Sequence, residues 1–348
     1  MPRVWDVPVH DSTRVRDARV AAEHAAALAG LDEARTAAAA LVATELATNL
    51  LKHAGGGQLL IDVVDPALPA GAGASLVQVA AVDHGPGIPD VSTALRDGYS
   101  TARSLGAGLG TCRRIADDFD LHSVPGRGTV VLARVGARPK EAAPAAAVRA
   151  GGVNIPFAGA DHSGDAWAWA RAGDRLTLML ADGLGHGPDA AHASTAATRA
   201  LHRAAHLPPA ETLVHLDTAL RGTRGAAVAV AQVDARTGEL RFAGVGNIGA
   251  RLREGGRWRS LLSRPGIVGV HKHATLREDR MPWAADRMLI LHSDGLPSRW
   301  TPPSDAALLA ADPAVVAAVT VRDASSSARP VRDDTAVAVL APTPPEGP

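Results

Sequence analysis

The sequence predicts a two-part chain of α/β (α+β) class, and three observations carry that reading. Alanine-rich helical stretches alternate with short strand-like runs through residue 135. Residues 136–151 are Pro, Ala, Lys, Arg and Gly without periodicity, which is linker composition. Beyond them lie many short apolar runs joined by turns, which imply antiparallel sheet with helices packed outside. A length of 348 residues is comfortable for two domains. Their expected bounds are 1–135 and 152–341, with a disordered tail over 342–348.

Taken in order, Val4–Val9 reads as a strand and Ser12–Ala29 as a helix closed by Gly30. Asp32 is positioned to cap a second helix that reaches Ala54, where Gly55–Gly57 stops it. Strands are expected at Gln58–Val64 and Leu76–Val82, and residues 84–110 are rich enough in Gly, Ser and Thr to be a loop. A helix near Thr111–Phe119 and a strand near Thr129–Val135 complete the first part. In the second, the strand-like runs are Ala166–Ala170, Leu176–Ala181, Ala226–Val233, Leu240–Val245, Met288–Leu291 and Thr335–Leu340. Helical stretches are expected at 187–206, 210–220 and 304–319.

Composition narrows the function. Thirty-six basic side chains balance 36 acidic ones, so nothing favours nucleic acid or an anionic membrane as partner. The single cysteine, Cys112, excludes an internal disulfide and a multi-cysteine zinc site, and reads as core filler. The N-terminus lacks signal-peptide character, and no apolar run reaches the roughly 18–20 residues of a membrane span. The expected location is the cytoplasm.

Two sets of residues carry chemistry. In the first, Glu45 and Asn49 sit four residues apart on one face of an otherwise aliphatic helix. They are either an exposed polar stripe or a general base beside an amide oxygen suited to Mg²⁺. Asp83 ends a strand and opens His84-Gly85-Pro86-Gly87, which is either a simple turn or a place where a carboxylate meets the amine of a planar base. Gly106, Gly108 and Gly110 run into a helix, where exposed N–H groups favour phosphate.

In the second set, Asp165, Asp182, Asp294 and Asp333 flank apolar strands. Each alone reads as a turn residue. Converging at one sheet edge, they would offer oxygen-only ligands, which favour Mg²⁺ or Mn²⁺ over zinc. Two such ions about 3.5–4 Å apart can clamp a phosphoryl group for in-line attack. His186 and His292 read as loop and core residues, Trp167, Trp169 and Trp258 as packing, and His271 and His273 as solvated.

Order and spacing of the first set resemble the asparagine box and glycine boxes of the GHKL (Bergerat) ATPases, over about residues 1–135. Glu45-Leu-Ala-Thr-Asn49 running to Gly57, Asp97-Gly-Tyr-Ser-Thr101 and Pro125-Gly-Arg-Gly-Thr129 are similar to the RsbT-type serine kinases of partner-switching systems. The resemblance implies a Bergerat-type α/β sandwich using ATP with Mg²⁺. Glu45 would take the proton of a substrate serine, Asn49 would hold Mg²⁺, and Asp83 would read adenine. Gly85, Gly87, Gly106, Gly108 and Gly110 would shape pocket and lid, with Thr129 supporting the adenine side.

Asp182-Gly183, Ser293-Asp294-Gly295 and Asp333-Asp334-Thr335 resemble, in that order, the PPM-type serine/threonine phosphatases of the SpoIIE branch, over about residues 152–341. Arg224-Gly225-Ala226 and Gly244-Val-Gly-Asn247 bring the likeness nearest to the RsbX type. The resemblance implies a PP2C-like β-sandwich flanked by helices, holding two Mn²⁺ or Mg²⁺. Asp182, the Gly183 carbonyl, Asp294 and Asp333 would be ligands, Asp165 a ligand or its support, and Asp334 the weaker of its pair. Together the two resemblances imply a bifunctional regulator that phosphorylates and dephosphorylates a STAS-domain antagonist protein. The alternative is an anti-sigma or ATP-sensing module that binds a sigma factor or its regulator and is coupled to an active phosphatase.

Overall fold

The computed structural model describes residues 3–65, 75–95, 108–137, 147–270, 276–325, 331 and 333–344. Its described residues fall into two compact units, one before and one after residues 138–146.

The first unit begins with β1 (Trp5–Val9) and two antiparallel helices, α1 (Ser12–Leu28) and α2 (Glu33–Asn49). Each helix starts where an aspartate can satisfy open amides: Asp11 accepts from Thr13 N (2.7 Å) and Asp32 from Arg35 N (2.8 Å). Their contact faces are largely alanine, including Ala18, Ala22, Ala25, Ala39, Ala43 and Ala47, all fully buried. After Asn49 the helix widens into one π-turn, Leu50–Ala54, which Gly55 closes at φ +73°. Then come β2 (Gly57–Val64), β3 (Leu76–Val82), the single turn α3 (Val91–Ala94), α4 (Leu109–Ile115), β4 (Asp118–Val124) and β5 (Gly128–Val135).

The five strands form an antiparallel sheet in the order β1-β2-β3-β5-β4. Val7, Val9, Leu59, Ile61, Val77, Val79, Val131 and Ala133 share a core with the alanines of both helices. The helix expected to reach Phe119 stops at Ile115, and the chain turns into β4. Asp118-Phe-Asp-Leu-His122 alternates with period two, and Phe119 and Leu121 pack on that core.

The second unit is a β-sandwich. Its strands are β6 (Val148–Ile155), β7 (Asp165–Ala172), β8 (Arg175–Gly183), β9 (Ala226–Asp234) and β10 (Glu239–Val245), followed by β11 (Gly249–Glu254), β12 (Arg257–Leu261), β13 (Asp279–Pro282), β14 (Met288–His292) and β15 (Thr335–Pro342). One sheet runs β13-β10-β9-β8-β7 and the other β12-β11-β14-β15-β6, and both are antiparallel. Leu178, Leu180, Ala229, Phe242, Leu252, Leu289, Leu291 and Ala338 fill the space between them. Helices α5 (Pro188–Ala204) and α6 (Pro209–Ala219) cover the first sheet through Ala197, Leu201, Leu213 and Leu216.

Three expectations need correction. β6 begins at Val148, inside the stretch read as linker, because its residues pair with the end of β15 from Ala341 to Pro342. That pairing also carries β15 into the stretch read as tail, of which residues 345–348 lie outside the described set. The helix expected over 304–319 is instead a short 3₁₀ turn, Ala306–Leu309, and then α7 (Pro313–Ala324). Asp312 restarts it by accepting from Ala314 N at 2.8 Å, with Pro313 in the first turn, where its missing N–H costs nothing. α7 packs on β6 and β15.

Candidate functional site

In the first unit, Glu45 and Asn49 sit one turn apart on α2, both half-buried. Burial raises the Glu45 carboxyl above its ordinary pKa, and Lys52 pulls it partly back. The Asn49 side-chain amide nitrogen is buried without a hydrogen-bond partner, an orphan that a polar ligand would satisfy. Asn49 is also the last α-helical residue before the π-turn, a distortion that recurs at functional sites.

Asp83 leaves the end of β3 with its carboxylate buried. Its Oδ1 accepts from Gly85 N (2.8 Å) and Thr129 N (3.1 Å), and its own amide donates to the Thr129 carbonyl (3.0 Å). Thr129 thus fixes the carboxylate that sequence assigns to adenine. Ser123 Oγ lies 2.9 Å from Thr129 Oγ1 and accepts from Ile88 N at 2.8 Å, which ties the Gly87 turn to β4. Gly87 sits at φ +73°, and a β-carbon there would strike the Val124 carbonyl. Gly108 precedes α4 and Gly110 is buried within it. Gly106 and the stretch 97–101 lie outside the described residues. Cys112, on α4 close to Glu45, is fully buried with its thiol pushed up to about 12, first by burial and then by the Glu45 charge. Such burial makes it part of the core.

In the second unit, acidic strand ends from both sheets meet. Asp165 opens β7 opposite Asp182 near the end of β8. Asp294 follows β14 and Asp333 precedes β15, which are themselves paired. Bonds join the two sheets at this edge: Gly164 N donates to Asp334 Oδ2 (2.8 Å) and Asn154 Nδ2 to the Asp165 carbonyl (2.8 Å), while Asn247 Nδ2 donates to Asp294 Oδ2 (2.7 Å). Gly183 packs so tightly on the first turns of α5 that a β-carbon would strike the Ala190 carbonyl.

The electrostatics of this edge are those of crowded like charge. Burial raises Asp182 to about 7, with Asp294, Asp333 and Asp334 adding repulsion and Asn247 offsetting part of it. Asp165, 3% exposed, is raised well above the carboxylate range by burial and then by Asp182, and its Oδ2 is buried without a partner. The carboxylates gather without closing into a shell. Among the described residues, no three Asp, Glu, His or Cys groups are arranged to hold one ion. An orphaned buried carboxylate oxygen among mutually repelling oxygens nevertheless fits a hard divalent cation, which would relieve both costs.

Sequence reasoning undervalued three residues here. Asp334 accepts from Phe157 N and Gly164 N, both at 2.8 Å, and so pins the segment leading to Asp165. Asn154 donates to the Asp165 carbonyl (2.8 Å) and accepts from Ser163 Oγ (2.8 Å). Asn247 links Asp294 and Asp182. The signal available was a polar residue directly beside a strand end, in Gly246-Asn247 and Asp333-Asp334. His186 is exposed in its loop. His292 is packed: Nδ1 lies 2.8 Å from the Ser293 carbonyl, Trp300 Nε1 donates to Nε2 (3.3 Å), and burial lowers its pKa. His271 and His273 lie outside the described residues.

Comparison with known proteins meets this geometry. The histidine kinase-like ATPase domain family matches residues 9–135. Serine/threonine-protein kinase RsbT of Bacillus subtilis (strain 168) is 42% identical over 103 residues, covering 30% of this chain and 71% of that protein. The chain belongs to the RsbT family. In this RsbT-family protein a second domain follows, because the stage II sporulation protein E (SpoIIE) family matches residues 172–342. The PP2C phosphatase domain of SpoIIE from Bacillus subtilis, solved with a fragment of its regulatory domain, has a TM-score of 0.50 at 15% identity and covers 82% of each chain. That likeness shows the fold. RsbX in complex with magnesium has a TM-score of 0.49 at 18% identity, over 58% of this chain and 98% of that one. The chain therefore joins a histidine kinase-like ATPase domain to a SpoIIE-matching domain of PP2C-type fold. Among the described residues, no helix is long and apolar enough to cross a membrane.

Proposed function

We propose that this protein is a bifunctional partner-switching regulator. Its first unit phosphorylates a serine or threonine on a STAS-domain antagonist protein, and its second removes that phosphate. The observation that supports the reading is that Glu45 lies on the Asn49 face of α2 and that aspartates gather at the sandwich edge.

In the first unit ATP is the phosphate donor. The serine oxygen bonds to the γ-phosphorus as the bond to the β-phosphate oxygen breaks, and ADP leaves. Glu45 takes the serine proton, a role suited to a carboxylate made more basic by burial. Asn49 would offer its amide to a Mg²⁺–phosphate group, Asp83 with Thr129 would receive the adenine amine, and Gly85, Gly87, Gly108 and Gly110 would let backbone approach the nucleotide. In the second, Asp165, Asp182, the Gly183 carbonyl, Asp294 and Asp333 would hold two Mn²⁺ or Mg²⁺. Such ions supply Lewis acidity toward a phosphoryl group. The chain's own part is to orient those carboxylates: Asn247 holds Asp294, while Asp334 and Asn154 hold the Asp165 segment. Phosphate adds about −1.5 to −2 charges to a protein surface, enough to make or break a complex.

The test is to incubate the protein with labelled ATP, Mg²⁺ and STAS-domain proteins encoded beside its gene. Transfer of label to serine or threonine, followed by its release on adding Mn²⁺, is the expected result. Capture of a sigma factor without any phosphoserine would replace the kinase half of this reading with a binding module.

A further inference from the structure

Arg224 has a position that stability does not explain. It lies between α6 and β9 with a side chain 53% exposed, and its Nη2 is 2.7 Å from Oδ2 of Asp189, itself 67% exposed. An ion pair this open contributes only about 0–1 kcal/mol. Its backbone, in contrast, is held at several points. Thr223 Oγ1 donates to the Leu220 carbonyl (2.7 Å) and accepts from Gly225 N (3.0 Å), and the Gly225 carbonyl accepts from Leu184 N (3.0 Å). The chain then enters β9, where Ala226 lies opposite Gly183 and Ala227 opposite Asp182.

The guanidinium therefore extends over the loop that leaves Asp182. A carbon added at Gly185 would sit 3.1 Å from Arg224 Nη1. A solvent-facing planar fork on a fixed base, next to an edge built of carboxylates, is suited to an anion with several oxygens. Asp189, in the first turn of α5, supplies such oxygens from within the chain.

The geometry points to Arg224 as the residue that grips the phosphoryl oxygens of a phosphoserine or phosphothreonine substrate, with Asp189 as the counter-ion that keeps the guanidinium aimed between turnovers. This rests on the phosphatase half of the proposed function. Substrate phosphate displaces Asp189 from the fork, and its departure as inorganic phosphate lets the pair re-form.

Two measurements on the full chain, with Mn²⁺ present, separate this idea from the reading beneath it. The first is calorimetric titration with inorganic phosphate, which needs no turnover. Arg224→Ala should weaken phosphate binding by about tenfold to a hundredfold, the scale of a hydrogen bond to a charged group. Arg224→Lys should recover part of the loss, and Asp189→Asn should tighten binding. The second is steady-state hydrolysis of a phosphoserine peptide, where Arg224→Ala should raise KM by a similar factor. Thermal midpoint and Mn²⁺ affinity should stay at wild-type values, so that the loss is one of phosphate binding and not of folding or metal. Equal phosphate affinity in wild type and Arg224→Ala, or no phosphate binding by wild type, would overturn the assignment. Absence of hydrolysis by wild type, with phosphate binding still dependent on Arg224, would count against the phosphatase reading instead.

Discussion

The two units raise their carboxylates by different means. Glu45 stands on a helix, half-buried, and is raised by burial with a lysine pulling the other way. Asp182 is raised by burial and then by three further aspartates at the same edge, so that only part of its cost comes from lost water. A single carboxylate with a moderately raised pKa suits a base that accepts one proton. A crowd of them suits positive charge, because each added cation relieves several repulsions at once. Under the proposed function one chemical group, the carboxylate, would serve proton transfer in one unit and cation binding in the other, and the number of neighbours separates the two.

The largest effect should come from the crowded edge. Asp182→Ala should bring hydrolysis of a phosphoserine peptide to background while phosphotransfer to a protein acceptor continues, each followed by phosphoprotein mass spectrometry. Glu45→Gln should do the reverse, lowering phosphotransfer by about 10²–10⁴-fold, the usual contribution of a positioned base. Survival of phosphotransfer in that variant would place the base elsewhere.

Next is Asp334→Asn. Its two oxygens each accept a backbone amide, and an asparagine must turn its own N–H₂ toward one of them. Mn²⁺ affinity, read by calorimetry, should fall by about 10–100-fold, the scale for a group that orients ligands. An unchanged affinity would mean that the segment before Asp165 needs no such support.

The smallest effect sharpens the contrast between burial and crowding. Asp62 on β2 is pushed to about 7 almost entirely by burial, with Asp65 a minor contributor. A carboxyl whose folded pKa is raised gives its full stability below the ordinary value near 4 and loses it as pH rises through 7. Asp62→Asn should therefore leave urea stability unchanged at pH 4 and raise it at pH 8 by about 1–3 kcal/mol, with or without Mn²⁺. A dependence on Mn²⁺ would show that burial is not the cause.

Much of this was legible in sequence where one residue governs one feature. Asp32 begins the second helix by side-chain acceptance, and Gly55 ends it by its positive φ. The helix beginning at Asp312 was nevertheless hidden within a longer expected one, because Ala306–Leu309 continues the same apolar composition. β4, β6, β11, β12 and β13 escaped for a different reason. They are short, interrupted by glycine or rich in Arg and Asp, so their own composition signals a strand weakly and pairing with neighbours settles it. The site divides similarly. The aspartates stand out because acid at the end of an apolar run is conspicuous, whereas Asn154 and Asn247 act through partners distant in sequence that only the folded sandwich supplies.

The most direct test is sustained release of inorganic phosphate from ATP in the presence of the acceptor protein, Mg²⁺ and Mn²⁺. Wild type, running both reactions, should consume ATP continuously. Glu45→Ala should consume none, and Asp182→Ala should stop after one equivalent of acceptor is modified. Mixing the two variants in one tube should restore continuous release. If either variant alone sustained release, or if the mixture stayed silent with both proteins folded, two independent and opposing sites on one chain would be the wrong description.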